Sequence, residues 1–227
     1  PEVVNQLGKA FYSWLKKKGF DKISVSVGMD SRISGTDLKM AFSEGITSLG
    51  GKVFDCGLAS TPAMFMTTMS PNLNADAGVM LTASHLPFNR NGLKFFTAEG
   101  GLNKNDITEI LKIAETNDLV KSSGTGTIVK NDFIDEYSDF LVNYIRKEAN
   151  NSKDYKKPLK NTKIIVDAGN GAGGFFPSMV LASLGADVKG SQFLEPDGHF
   201  PNHVPNPENE EAMDSICRSV IKNKADL

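Results

Sequence analysis

Short apolar runs alternate with stretches of helical spacing along this chain, and that alternation restricts the fold more than any other feature. Residues 23–27 (ISVSV), 52–56 (KVFDC), 77–81 (AGVML), 93–97 (LKFFT), 163–166 (KIIV) and 186–189 read as strands. Residues 1–18, 36–49, 63–69, 104–114, 132–148, a stretch through Val180, Leu181 and Leu184, and 208–224 read as helices. In the first of these, Val3, Val4, Leu7, Phe11, Trp14 and Leu15 recur at helical spacing and Gly19 can end the helix. Asn103 or Asn105 stands where the helix from 104 needs a cap. Strands interleaved with helices predict an α/β fold: three-layer α/β/α domains around a mixed or mostly parallel sheet. The polar, lysine-rich stretch 149–162 (ANNSKDYKKPLKNT) interrupts the pattern. A boundary near Lys157 then gives domains 1–157 and 158–227, one complete unit and one partial repeat.

Composition narrows the function classes. With 227 residues, 40% hydrophobic and 23% charged, the chain is long enough for one large or two small domains. A formal net charge of −2 gives no reason to expect nucleic acid or a membrane as the main partner. No apolar run approaches the ~18 residues of a membrane span. Cys56 and Cys217 are isolated, without metal-binding spacing. They read as reduced thiols of a cytoplasmic protein, with a disulfide between them and an organelle-targeted parent left open. The oligomeric state is not legible.

The chemistry concentrates in residues 81–97 (LTASHLPFNRNGLKFFT). A buried strand stops at Thr82-Ala83-Ser84-His85. Pro87 cannot continue a ladder, 89–92 (NRNG) supplies turn chemistry, and a second strand then carries Lys94. A serine on a tight loop, followed by an imidazole and a lysine, suits a hydroxyl that carries a phosphoryl group. A phosphoserine has a charge near about −2 and wants cationic donors and backbone N–H groups around it. Taken alone, Ser84 is more simply a turn or capping serine.

The run TASHLPFNRNGLK resembles the active-site serine loop of the α-D-phosphohexomutases, the phosphoglucomutase and phosphomannomutase superfamily. Their usual pattern is T-A-S-H-N-P-x-x-x-N-G-x-K, and the chain departs from it at Leu86. Three further stretches add to the resemblance. Residues 28–35 (GMDSRISG) are similar to G-x-D-x-R-x-S-[GS], with Met29 where an arginine is usual and Arg32 matched. Residues 57–62 (GLASTP) are similar to G-x-x-x-T-P, and 197–207 (DGHFPNHVPNP) to D-G-x-F-P-x-H-x-P-[ND]-P. The glycine-rich 167–174 (DAGNGAGG) reads as a tight strand-to-helix turn. His199 and His203 lie four apart, but Pro201 between them argues against a zinc pair and for the ordering of a loop.

The resemblance implies a phosphohexose mutase, a phosphotransferring isomerase of carbohydrate metabolism acting on a small phosphosugar. Ser84 is then the phosphoserine. Arg32 and Lys94 bind phosphate and offset charge, with Lys94 also cast as a general base. His85 orients the phosphoserine or shuttles a proton. The phosphoryl group moves between C1 and C6 of the hexose through a sugar 1,6-bisphosphate. Mg2+ is held by the phosphate on Ser84 together with an acidic D-G-D-x-D-R loop. That loop, the family's opening F-G-T-x-G-I-R-G segment and its sugar-recognition domains are not in these 227 residues, so the chain by itself is expected to be inactive. Two rivals stand beside this reading. One is a serine hydrolase, which lacks a G-x-S-x-G elbow here. The other is a catalytically degenerate sugar-phosphate-binding relative, suggested by Leu86 and Met29.

Overall fold

The computed structural model describes residues 1–122 and 124–227; Ser123, in the polar stretch 122–127 (SSGTGT) whose composition predicts a loop, lies outside them. The described chain divides into two compact units. The first comprises Pro1–Asp30, Ser34–Thr82 and Asn91–Phe133, and the second Ser31–Ile33, Ala83–Arg90 and Ile134–Leu227. Lys157, where composition changes, falls inside the second unit.

The first unit is the α/β layer structure that the alternation predicts. Its elements run α1 (Glu2–Lys17), β1 (Ser24–Met29), α2 (Gly35–Thr47), β2 (Lys52–Leu58), α3 (Thr61–Met66), β3 (Ala77–Leu81), β4 (Leu93–Thr97), β5 (Gly100–Gly101), α4 (Lys104–Thr116) and β6 (Thr127–Lys130). Among the described residues the sheet has six strands in the order β5-β4-β3-β1-β2-β6. β1 pairs parallel with β2 and β3, β2 parallel with β6, and β4 antiparallel with β3 and β5. Alternate residues of each strand face opposite sides. Val25, Val27, Val53, Val79 and Phe95 face a core completed by Phe11, Trp14 and Leu15 of α1, Phe42 and Ile46 of α2, and Ile110 and Ile113 of α4. Phe11 and Phe95 meet with ring centroids 4.8 Å apart. On the other face the strands carry glycine, and α3 approaches closely. A Cβ at Gly78 would lie 2.3 Å from the Met64 carbonyl oxygen, so only glycine fits there.

Helix starts follow local chemistry. Asn103 caps α4 in a reciprocal capping box with Asp106, and Ser60 caps α3 by accepting from the Ala63 N–H. β6 is not anticipated by the sequence pattern, because its four residues are all exposed and carry no alternation.

α5 (Phe133–Ala149), which enters the second unit at Ile134, and α6 (Glu210–Asn223) are regular. Two expectations are corrected here. Residues 163–166 and 186–189 do not form strands. Lys163–Asp187 and Asp167–Gln192 make only isolated parallel bridges, too few to close a ladder. The helix expected through Leu184 is a π turn over Pro177–Leu181 followed by a 3-10 turn over Ala182–Leu184. Val142 of α5 packs there against Val180 and Leu184.

Candidate active site

The serine loop is pinned at its root by short polar contacts within the first unit. The Thr82 N–H donates to the Gly92 carbonyl at 3.0 Å, and the Asp30 N–H to the Leu81 carbonyl at 3.0 Å. Thr82 Oγ1 donates to Asp30 Oδ2 at 2.7 Å, and Ser34 Oγ to Asn91 Oδ1 at 2.7 Å. Asp30 therefore fixes the loop root. Gly92 is required at the closure, since a Cβ would lie 2.9 Å from the Thr82 carbonyl oxygen.

The tip, Ala83–Arg90, belongs to the second unit together with Ser31–Ile33. Ser84 is exposed and has φ +57. A left-handed conformation costs a non-glycine residue roughly 1–2 kcal/mol and persists where the surroundings impose it. Arg32 does the imposing. It is 3% exposed. Its Nη2 donates to the carbonyls of Ser84 at 3.0 Å and Leu86 at 2.8 Å. Its Nη1 donates to the carbonyls of Pro87 at 2.5 Å and Arg90 at 3.2 Å. The loop adds two bonds of its own, Leu86 N–H to the Ala83 carbonyl and Arg90 N–H to the Pro87 carbonyl. A planar guanidinium with a rigid fork of donors matches several convergent carbonyls in a way that an ammonium does not.

The sequence reading directs the Arg32 fork at phosphate, whereas the terminal nitrogens grip loop carbonyls. The structure thus brings Arg32 and Ser84 together through the serine's backbone. His85 lies exposed on the same tip. Lys94 is an exposed residue of β4 in the first unit, opposite Met80 in the ladder. Its neighbour Phe95 faces the α1 core, so Lys94 is on the α3 face of the sheet. Of the two departures from the family pattern, Leu86 is 48% exposed at the tip. Met29 is half-buried against the first turn of α2, where its sulfur accepts from Thr36 Oγ1 at 3.8 Å.

Residues 197–207 form a braced loop in the second unit. The 167–174 turn holds it through buried Asn170. The Asn170 carbonyl accepts from Asp197 N–H, its Oδ1 accepts from Asn202 Nδ2 at 2.7 Å, and its Nδ2 donates to the Glu195 carbonyl at 2.8 Å. His203 is the second brace. Its Nε2 lies 3.0 Å from Asp167 Oδ2 and its Nδ1 2.9 Å from the Val204 carbonyl. Both ring nitrogens face acceptors, which favours the doubly protonated imidazolium. Burial opposes the charge, but the Val204 carbonyl and the Asp167 carboxylate outweigh it and hold the pKa above its ordinary value. His199 is exposed and pairs with Asp197, whose carboxyl is held low first by the His199 N–H and then by its imidazole. Both histidines thus order the loop.

Beneath the tip, the Phe200 ring lies 5.5 Å from the Arg32 guanidinium carbon. Spacing cannot reveal such a contact, because the two residues are far apart in sequence and the aromatic reads as one motif letter among others. Among the described residues no group of three His, Cys, Asp or Glu side chains is placed to hold a metal ion. These residues do not by themselves compose a magnesium site. Cys56 is buried and Cys217 exposed, neither disulfide-bonded, and burial pushes the Cys56 thiol up to about 12. Among the described residues no helix is long and apolar enough to cross a membrane.

Residues 1–121 match the model of the phosphoglucomutase/phosphomannomutase alpha/beta/alpha domain I, and residues 135–227 match that of domain II. A phosphoglucomutase/phosphomannomutase of Thermococcus kodakarensis is 37% identical over 230 residues, covering 100% of this chain and 48% of the relative. A phosphomannomutase of Escherichia coli is 30% identical over 234 residues, covering 100% of this chain and 48% of the relative. The crystal structure of a phosphoglucomutase/phosphomannomutase family protein from Burkholderia thailandensis superposes with a TM-score of 0.83 at 27% identity, covering 98% of this chain and 46% of that one. The chain therefore spans about half the length of the relatives it matches.

Proposed function

The chain belongs to the phosphoglucomutase/phosphomannomutase family, and from that premise we propose that it carries the phosphoserine of a phosphohexose mutase at Ser84. The observation that carries the proposal is the presentation of Ser84: exposed, at φ +57, on a tip clamped through four carbonyls by one buried arginine. A serine that gives up one phosphoryl group and later takes on another needs a fixed position for both transfers.

In the proposed reaction a free hydroxyl of a hexose phosphate attacks the phosphorus of phosphorylated Ser84. The Ser84 O–P bond breaks as the new sugar O–P bond forms, and the hydroxyl proton leaves to a base. The sugar 1,6-bisphosphate turns over, and its other phosphoryl group returns to the Ser84 oxygen. Transfer of this kind rests on in-line placement and on offsetting charge. His85, on the same tip, is assigned to orient the phosphoserine or relay the proton. Lys94 is assigned to charge compensation and proton acceptance. Arg32 is assigned to holding the loop, which replaces direct phosphate binding as its main role. A magnesium ion, which the phosphate on Ser84 would help to hold, would supply Lewis acidity to this chemistry. Leu86, exposed and without a hydrogen-bonding side chain, favours as a second reading a degenerate relative that binds phosphosugar without turnover.

Two measurements test the proposal in the full-length protein. Peptide mass spectrometry should place phosphate on Ser84, and hexose 1-phosphate turnover should vanish in Ser84→Ala. Ser84→Gly controls for folding, because glycine suits the left-handed position and should be at least as stable as wild type. Wild-type turnover in either variant, or phosphate confined to Ser34 or Ser60, refutes the assignment. Phosphosugar binding without turnover in the wild type selects the second reading.

A further inference from the structure

We infer that Phe200, seated by Gly198, is a positioning residue for the Ser84 loop and acts through Arg32. The inference rests on the role proposed above for Ser84, and it concerns a residue to which that role assigns nothing.

Three observations lead to it. First, Arg32 is the common anchor of the tip, and the Phe200 ring covers its guanidinium at 5.5 Å. A guanidinium bound to carbonyl oxygens in its own plane leaves its faces open, and an aromatic face is attracted to that charge. Second, Phe200 is held at φ +51. For a bulky residue this is an outlier that the surrounding turn must impose. The turn does so through the Phe200 N–H to Asp197 carbonyl bond at 3.0 Å and the His199 N–H to Asp197 Oδ1 bond at 2.9 Å. Third, Gly198 brings this turn against the backbone that carries Arg32. A Cβ there would lie 2.5 Å from the Ser31 carbonyl oxygen and 2.6 Å from the Ile33 nitrogen. The strained turn thus places one ring under one cation, and the cation places four carbonyls of the loop. Phe200 touches no reacting atom; it fixes the plane of the fork that sets the Ser84 backbone.

The test uses the full-length protein with Phe200→Leu, which keeps bulk and removes the π face, and Phe200→Tyr, which restores it. Hydrogen exchange is read on peptides spanning 83–90, and glucose 1-phosphate conversion is read for kcat and KM. Phe200→Leu should speed exchange at 83–90 by roughly threefold to thirtyfold, the range set by a cation over an aromatic face. It should lower kcat by a similar factor, with KM changed about twofold or less. Phe200→Tyr should restore both. Gly198→Ala should reproduce the Phe200→Leu exchange pattern, with residues 142–184 still protected. Wild-type exchange at 83–90 in Phe200→Leu overturns the inference, and so does failure of Phe200→Tyr to restore it. If Ser84 proves not to carry phosphate, the kinetic arm loses its meaning, but the exchange arm still decides whether Phe200 holds the loop.

Discussion

Replacing Arg32 with alanine removes the donors of four hydrogen bonds to the carbonyls of Ser84, Leu86, Pro87 and Arg90. A bond from a charged donor contributes about 1.5–3 kcal/mol, so four would contribute roughly 6–12 kcal/mol if the acceptors stayed buried and unpaired. They do not stay so. Residues 84–90 are exposed, and released carbonyls turn to water. Letting Ser84 leave its left-handed conformation also returns about 1–2 kcal/mol. With water as the alternative partner each bond contributes about 1 kcal/mol net, so four bonds less the returned strain give a loss in global stability of about 2–3 kcal/mol, read as a lower urea midpoint with an unchanged slope. The local loss is larger: exchange at 83–90 should approach that of an unstructured peptide, while β1 and β3 stay protected. Arg32→Lys should fall near the alanine variant, because one ammonium cannot reach carbonyls spread around a planar fork. Native protection of 83–90 in a folded Arg32→Ala protein would show that the loop holds itself and that the clamp is incidental.

Two further outcomes are expected from buried charges. The folded pKa of His203 lies above its unfolded value near ~6.5. Its stabilising contribution is therefore complete below about pH 6.5 and is lost as pH rises through the folded pKa. Urea melts across that window should show wild type losing stability relative to His203→Gln; parallel curves would remove the charged pair with Asp167 from the account. In the first unit, Lys39 is buried and pairs with Asp55, which also accepts from the Gly57 N–H at 3.0 Å. Lys39→Met strands that carboxylate and should cost about 3–5 kcal/mol in denaturant melts, with Asp55→Asn recovering much of it in the double variant. A single-variant loss below about 1 kcal/mol would mean that the pair is solvated.

What the sequence determined is what neighbouring residues encode. The α/β class, the strand–turn–strand around Ser84, the Asn103 cap and the end of β3 before Thr82 all follow from spacing, turn residues and capping atoms within a few positions. Patterning was a weaker guide where burial did not impose it. Exposed β6 carries no alternation, and 163–166 is apolar enough for a strand yet makes only isolated bridges. Tertiary structure alone decided how Ser84 is held. The acceptors of Arg32 are main-chain carbonyls, which every residue has and no side-chain letter marks. The Phe200 ring reaches Arg32 across most of the chain, and Asn170 and Asp167 brace its turn from a third stretch. Convergent backbone acceptors and long-range seats leave no periodicity to read, because only the folded path brings them to one guanidinium.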